Sequence, residues 1–152
     1  MNLEVSQRIA APAEQVWAVI TDLANSPQVI SGIDTVEILG GPPEFGVGTR
    51  WRETRTMLGK TATEEMEVSA VDPGRLYSAV AASHGARYDS TLTVEPDGAS
   101  ASTLTMTFRG EPTSTGGRIA AATVGRLFLG ASRKALAKDL SDIAAAVEGR
   151  QA

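Results

Sequence analysis

Polar and apolar residues alternate through most of this chain, and apolar residues recur at helical spacing in only two parts of it. Leu3, Val5 and Ile9 alternate with Glu4, Gln7 and Arg8, which predicts a first strand over Asn2 to Ala10. Pro12 then stands where the first turn of a helix tolerates it, and Glu14 favours a helix N-terminus. Val16, Trp17, Ile20 and Leu23 follow at helical spacing, so a helix is expected to end near Asn25, with a short second helical turn from Ser26-Pro27 to Ile30. After Gly32 the period changes to two. Strands are predicted at Ile33 to Leu39, Thr49 to Leu58, Thr61 to Val71, Leu76 to Ala82, Arg87 to Glu95 and Ser102 to Glu111. The breaks between them are Gly40-Gly41-Pro42-Pro43, Gly59-Lys60, Asp72-Pro73-Gly74-Arg75, Ser83-His84-Gly85 and Pro96-Asp97-Gly98. Short turns between successive strands imply an antiparallel meander.

Alternation also assigns faces. Met66, Val68 and Ala70 share one face, as do Leu92 with Val94 and Leu104 with Met106 and Phe108. The opposite face carries Glu65, Glu67, Thr91, Thr93, Thr103, Thr105, Thr107 and Arg109, a solvated β surface. The apolar face needs a cover, and the segment Thr115 to Val147 is the only one long enough. Leu129, Leu136, Leu140 and Ile143 form its stripe, with Arg133, Lys134, Lys138, Asp139 and Asp142 off it. Between Ile119 and Ala131 the only charge is Arg126, and Gly125 and Gly130 leave room beside Leu127 and Phe128. The expected architecture is α+β: about seven antiparallel strands curled round a long C-terminal helix, with two short helices after the first strand.

Composition narrows the function. At 152 residues the chain is read as one domain, 1–152. A net charge of -4 without a Lys/Arg cluster gives no footprint for nucleic acid. The absence of cysteine excludes disulfides, thiolate nucleophiles and cysteine-built zinc sites, and a single histidine, His84, leaves little for a metal; neither metal nor cofactor is expected. No run approaches the roughly 20 apolar residues of a membrane span. The N-terminus lacks a signal-peptide pattern, so a cytoplasmic protein is expected.

The order of elements, with its landmarks, resembles the START-like or Bet v 1-like superfamily, the helix-grip fold. Within it, the polyketide cyclase/dehydrase and lipid-transport group is most similar. The resemblance is carried by Ala11-Pro12-Ala13-Glu14-Gln15-Val16-Trp17, Thr21-Asp22-Leu23 and Gly46-Val47-Gly48-Thr49. Asp72-Pro73-Gly74-Arg75-Leu76, the hairpin Leu92 to Gly98, and Leu104-Thr105 extend it over nearly the whole chain. It implies an internal cavity between sheet and helix that holds a small hydrophobic molecule, lipid or aromatic. Val29-Ile30 departs from the many relatives that carry a tryptophan there.

Candidate chemistry sits mainly on the third and fourth strands. A turn at Gly59-Lys60 would set Arg55 opposite Glu64, Glu53 opposite Met66 and Trp51 opposite Val68. Glu53, Arg55 and Glu64 would then face the interior, where charges need partners, and an Arg55–Glu64 pair is expected. A carboxyl in such a cavity has a raised pKa and can move protons, which makes Glu53 a candidate acid or base. Tyr88 shares the parity of Leu92, whereas His84 is expected at a solvated hairpin tip and Trp17 in the core. The ligand-binding set is therefore Trp51, Glu53, Arg55, Met57, Glu64, Met66, Tyr88, Leu92, Met106, Phe108, Leu127 and Phe128. Binding without covalent chemistry is the first expectation. An aromatase/cyclase- or dehydratase-type enzyme using Glu53, Arg55 and Tyr88 is the second, and a protein–protein module with an acidic convex surface the third.

Overall fold

The computed structural model describes residues 2–57, 59–83, 86–112 and 133–149. Strand β1 (Asn2–Ile9) is followed by helix α1 (Ala13–Ile20), a 3-10 turn (Leu23–Asn25) and the single-turn helix α2 (Ser26–Val29). Six further strands follow: β2 (Ile33–Gly40), β3 (Arg50–Met57), β4 (Lys60–Asp72), β5 (Leu76–Ser83), β6 (Ala86–Pro96) and β7 (Ser102–Pro112). Helix α3 is described over 133–149. The sheet has seven strands in the order β1-β7-β6-β5-β4-β3-β2, every pair antiparallel. The chain is thus the curved, antiparallel α+β helix-grip fold.

Local sequence explains the departures from expectation. α1 stops at Ile20 rather than near Asn25, because the Thr21 hydroxyl bonds back to the Trp17 carbonyl at 2.8 Å and the chain tightens into the 3-10 turn. The β3–β4 turn comes one residue earlier than expected: Met57 pairs with Lys60. Gly59, at φ 76, occupies the second turn position, where a left-handed conformation suits glycine. The expected register is therefore off by two, which preserves faces and changes partners. Glu53 stands opposite Glu64, Trp51 opposite Met66 and Arg55 opposite Ala62. Further along, β4 shifts register between Val68 and Ala70. That irregularity turns Ala70 out to solvent and Val71 inward against Tyr77, so Ala70 does not share the face of Val68.

The core lies between the helices and one side of the sheet. Ile9, Val16, Val94, Leu104, Leu140 and Val147 are sealed together there, with Val68, Tyr77, Ile143 and Ala144 beside them. Helix α3 is fastened on both flanks. The Arg133 guanidinium donates to the Glu4 carbonyl at 3.0 Å and the Glu148 carboxylate accepts from the Ala10 amide at 2.9 Å, both on the β1 side. On the other flank Asp142 accepts from the Ser31 amide and hydroxyl, each at 2.9 Å, and Asp139 accepts from Arg55.

Candidate ligand-binding site

The helix-facing side of the sheet is ordered in rows of cross-strand partners. Val5, Met106, Leu92, Tyr77 and Val71 make one row. Leu3, Phe108, Ser90, Ala79 and Val68 make the next. Gly110, Tyr88, Ala81, Met66 and Trp51 follow, and then Glu64 beside Glu53. At the end nearest α1 the side chains are shut in, Leu104 and Ile9 being 0% exposed. In the middle rows Met66, Leu92, Met106, Phe108 and Tyr88 are only half-buried, although they point toward the helices. Small residues, Ala79, Ala81, Ser90 and Gly110, lie between them and keep the floor low. Tyr88 stacks on Phe108 with ring centroids 5.4 Å apart and planes at 23°. Burial, and then the charge of Glu64, raise the Tyr88 pKa, which keeps its hydroxyl protonated.

A buried polar cluster closes the other end. Glu53 is 8% exposed and Asp139 4%. The Arg55 Nε donates to Glu53 Oε2 and its Nη2 to Asp139 Oδ2, both at 2.7 Å, and the Trp51 indole N–H points at Glu53 Oε1 from 3.4 Å. Burial opposes charge on Arg55, but Glu53 and Asp139 more than offset it and hold the guanidinium pKa above its usual value. For Asp139, burial dominates and raises the carboxyl pKa against the opposing pull of Arg55, with Glu53 and Asp142 adding to the rise. Asp142 behaves oppositely. Its bonds from Lys138 and Ser31 outweigh its desolvation and lower its pKa.

The expected residues thus fall into three groups. Glu53, Arg55 and Trp51 come together at one end, and Met66, Tyr88, Leu92, Met106 and Phe108 share the inner face. The expected Arg55–Glu64 pair is not what the register builds: Arg55 lies across from Ala62 and ties Glu53 to Asp139. Leu127, Phe128, Gly125, His84 and the Met57 side chain lie outside the described residues. Trp17 does pack as core, edge-on to Phe45 and Tyr77 at 6.3 and 6.2 Å. Sequence reasoning missed Asp139 by placing it off the helical stripe. Its spacing was the signal: it stands four residues before Ile143 and eight before Val147, on the buried side. Among the described residues are two open hollows of about 310 and 380 Å³, one between Leu23, Ile38 and Phe45, the other between Arg50, Glu67, Val80 and Arg87 and bordered by Met66 and Ala81.

Comparison with known proteins agrees with this architecture. The family described as polyketide cyclase / dehydrase and lipid transport matches residues 1–148. A search of curated proteins by sequence finds no significant match. Among solved structures, the Zhui aromatase/cyclase of Streptomyces sp. R1128 superposes with a TM-score of 0.85 at 16% identity, covering 100% of this chain and 96% of that one. A Thermus thermophilus protein gives 0.83 at 18% identity with 100% of both chains covered. A norcoclaurine synthase of Thalictrum flavum gives 0.78 at 18%, covering 100% and 96%. At these identities the structures share the fold, while the match along the sequence carries more: the chain belongs to the polyketide cyclase / dehydrase and lipid transport family.

Proposed function

We propose that the protein binds a small hydrophobic molecule, lipid or aromatic, in the space between the middle rows of the sheet and helix α3. One observation carries the reading. Met66, Leu92, Met106, Phe108 and Tyr88 face the helices yet keep accessible surface, whereas Leu104, Val94 and Ile9 on the same side are sealed. An apolar wall with a few polar groups at one end is the usual form of a small-molecule site. The test is titration with an uncharged fluorescent probe, together with mass spectrometry of whatever copurifies from the native host. Saturable binding that a Met106 variant alters supports the reading; a folded protein that binds no apolar probe overturns it.

A second reading is an aromatase/cyclase- or dehydratase-type enzyme, and a specific observation favours it. Asp139 is a buried carboxyl with a raised pKa, held by Arg55 at one end of the same space. A carboxyl so placed suits proton transfer to a bound carbonyl compound. The solved structures of similar fold include an aromatase/cyclase and a norcoclaurine synthase. A binder returns its ligand unchanged, whereas an enzyme converts a polyketide-like substrate and loses that activity in Asp139→Asn.

A further inference from the structure

Hydroxyl groups on the helix-facing side of the sheet are of two kinds. Those that serve the fold are buried and bonded: Tyr77 donates to the Ile20 carbonyl at 3.3 Å, and Ser102 to the Ala11 carbonyl at 2.9 Å. Ser90 and Tyr88 differ. Both are half-buried, and neither hydroxyl has a hydrogen-bond partner among the described residues. No buried side-chain oxygen among those residues lacks a partner, so both hydroxyls are open to the space above the sheet. They lie two residues apart on β6, which gives them the same face and sets them roughly 7 Å apart along the strand. Phe108 stands across from Ser90 on one side and Ala79 on the other, and Leu92 is one row nearer the shut end. Ser90 is thus a polar group in the floor of the apolar middle rows, away from the carboxylates and arginine that close one end.

We infer that Ser90 is a specificity-determining residue, and that the ligand is an uncharged molecule with a carbonyl or hydroxyl oxygen in the middle of an apolar body. This rests on the proposed binding function and names its substrate class. With one end of the ligand against Leu92 and Met106, next to the sealed Leu104, its middle passes over Ser90. The serine hydroxyl donates to a carbonyl there, or bonds to an alcohol, and Tyr88 in the next row is placed for a second oxygen. A hydrocarbon at that point strips water from Ser90 and returns no bond, which lowers affinity. A charged group there would lie among Phe108, Ala79 and Leu92 instead of in water.

The experiment compares dipentyl ketone with methyl nonyl ketone as competitors for bound N-phenyl-1-naphthylamine. The two are isomers of nearly equal hydrophobicity, and differ in whether the oxygen is central or near one end. Dipentyl ketone should displace the probe at a concentration lower by roughly threefold or more. In Ser90→Ala, a change that removes only the oxygen, the two ketones should compete equally. The comparison is made within each protein, so a change in the affinity for the probe itself does not enter it. If the wild type treats the two ketones alike, or Ser90→Ala keeps the preference, the inference fails while the binding function stands. If the probe itself does not bind, the cavity reading fails and takes this one with it.

Discussion

Arg55 is the residue on which the interior depends most, because among the described residues it alone joins two buried carboxylates from different parts of the chain. Removing one partner of a buried ion pair leaves uncompensated charge and costs about 3–5 kcal/mol. The one-third exposure of Arg55 places Arg55→Leu at the lower end of that range. Asp139→Asn should cost less, since Glu53 still neutralises the guanidinium; urea unfolding of both variants checks the order. The same pair has a pH signature. The native state holds the Asp139 proton to higher pH than the unfolded chain, whose value is near 3.8. Folding therefore takes up a proton in the window above 3.8, and the stability contributed by Asp139 falls as pH rises through it. The asparagine side chain does not titrate. The advantage of the wild type over Asp139→Asn should be largest below that window and shrink as pH rises, and an advantage that grew instead would mean the salt bridge outweighs burial. At this scale the sequence revealed which charges face inward, because alternation depends only on parity. It did not reveal their partners, because a turn placed one residue late moves every partner by two without changing a face.

At the scale of elements, the loop entering β3 and helix α3 set the two ends of the site. Gly41 has φ 118, and a Cβ there would come within 2.6 Å of the Thr49 Cα, backbone that cannot swing away. Gly59 also has positive φ, but a Cβ there meets nothing within 4 Å. Gly59→Ala should therefore cost about 1 kcal/mol from backbone conformation alone. Gly41→Ala, with strain and a clash together, should cost clearly more, on the order of 2–3 kcal/mol, and thermal unfolding of the two variants separates them. Along α3, Leu140 is 1% exposed and Leu136 only half-buried. Leu140→Ala should fall within the 2–5 kcal/mol typical of an emptied core site, and Leu136→Ala below it. Equal losses would mean that Leu136 is packed as tightly as Leu140. The strands and the meander from β2 to β7 were legible because turn chemistry and period agree along this chain. The shift between Val68 and Ala70 was not, since an added residue in one strand depends on its neighbours and leaves no mark on local composition.

For the molecule as a whole, one sheet face serves two purposes, and mutation should be able to separate them. Near α1 the face is closed: Leu104 has 0% exposure and sits with Ile9, Val16 and Val147. Over the next three rows it is half-open, around Leu92, Met106 and the stacked Tyr88 and Phe108. The cost of truncating an apolar side chain scales with the area it keeps from water and the cavity it leaves. Leu104→Ala should therefore lose about 2–5 kcal/mol of stability and leave probe affinity, measured on the folded fraction, nearly unchanged. Leu92→Ala removes a side chain that solvent already reaches, so its loss should be about half as large or less. It also widens the proposed site, so it should shift affinity or the preferred size of ligand. Denaturant unfolding and probe titration on the same two proteins decide the matter. If Leu92→Ala loses as much stability as Leu104→Ala and binds the probe like wild type, the middle of the sheet is ordinary core, and the ligand has to be sought elsewhere on the molecule.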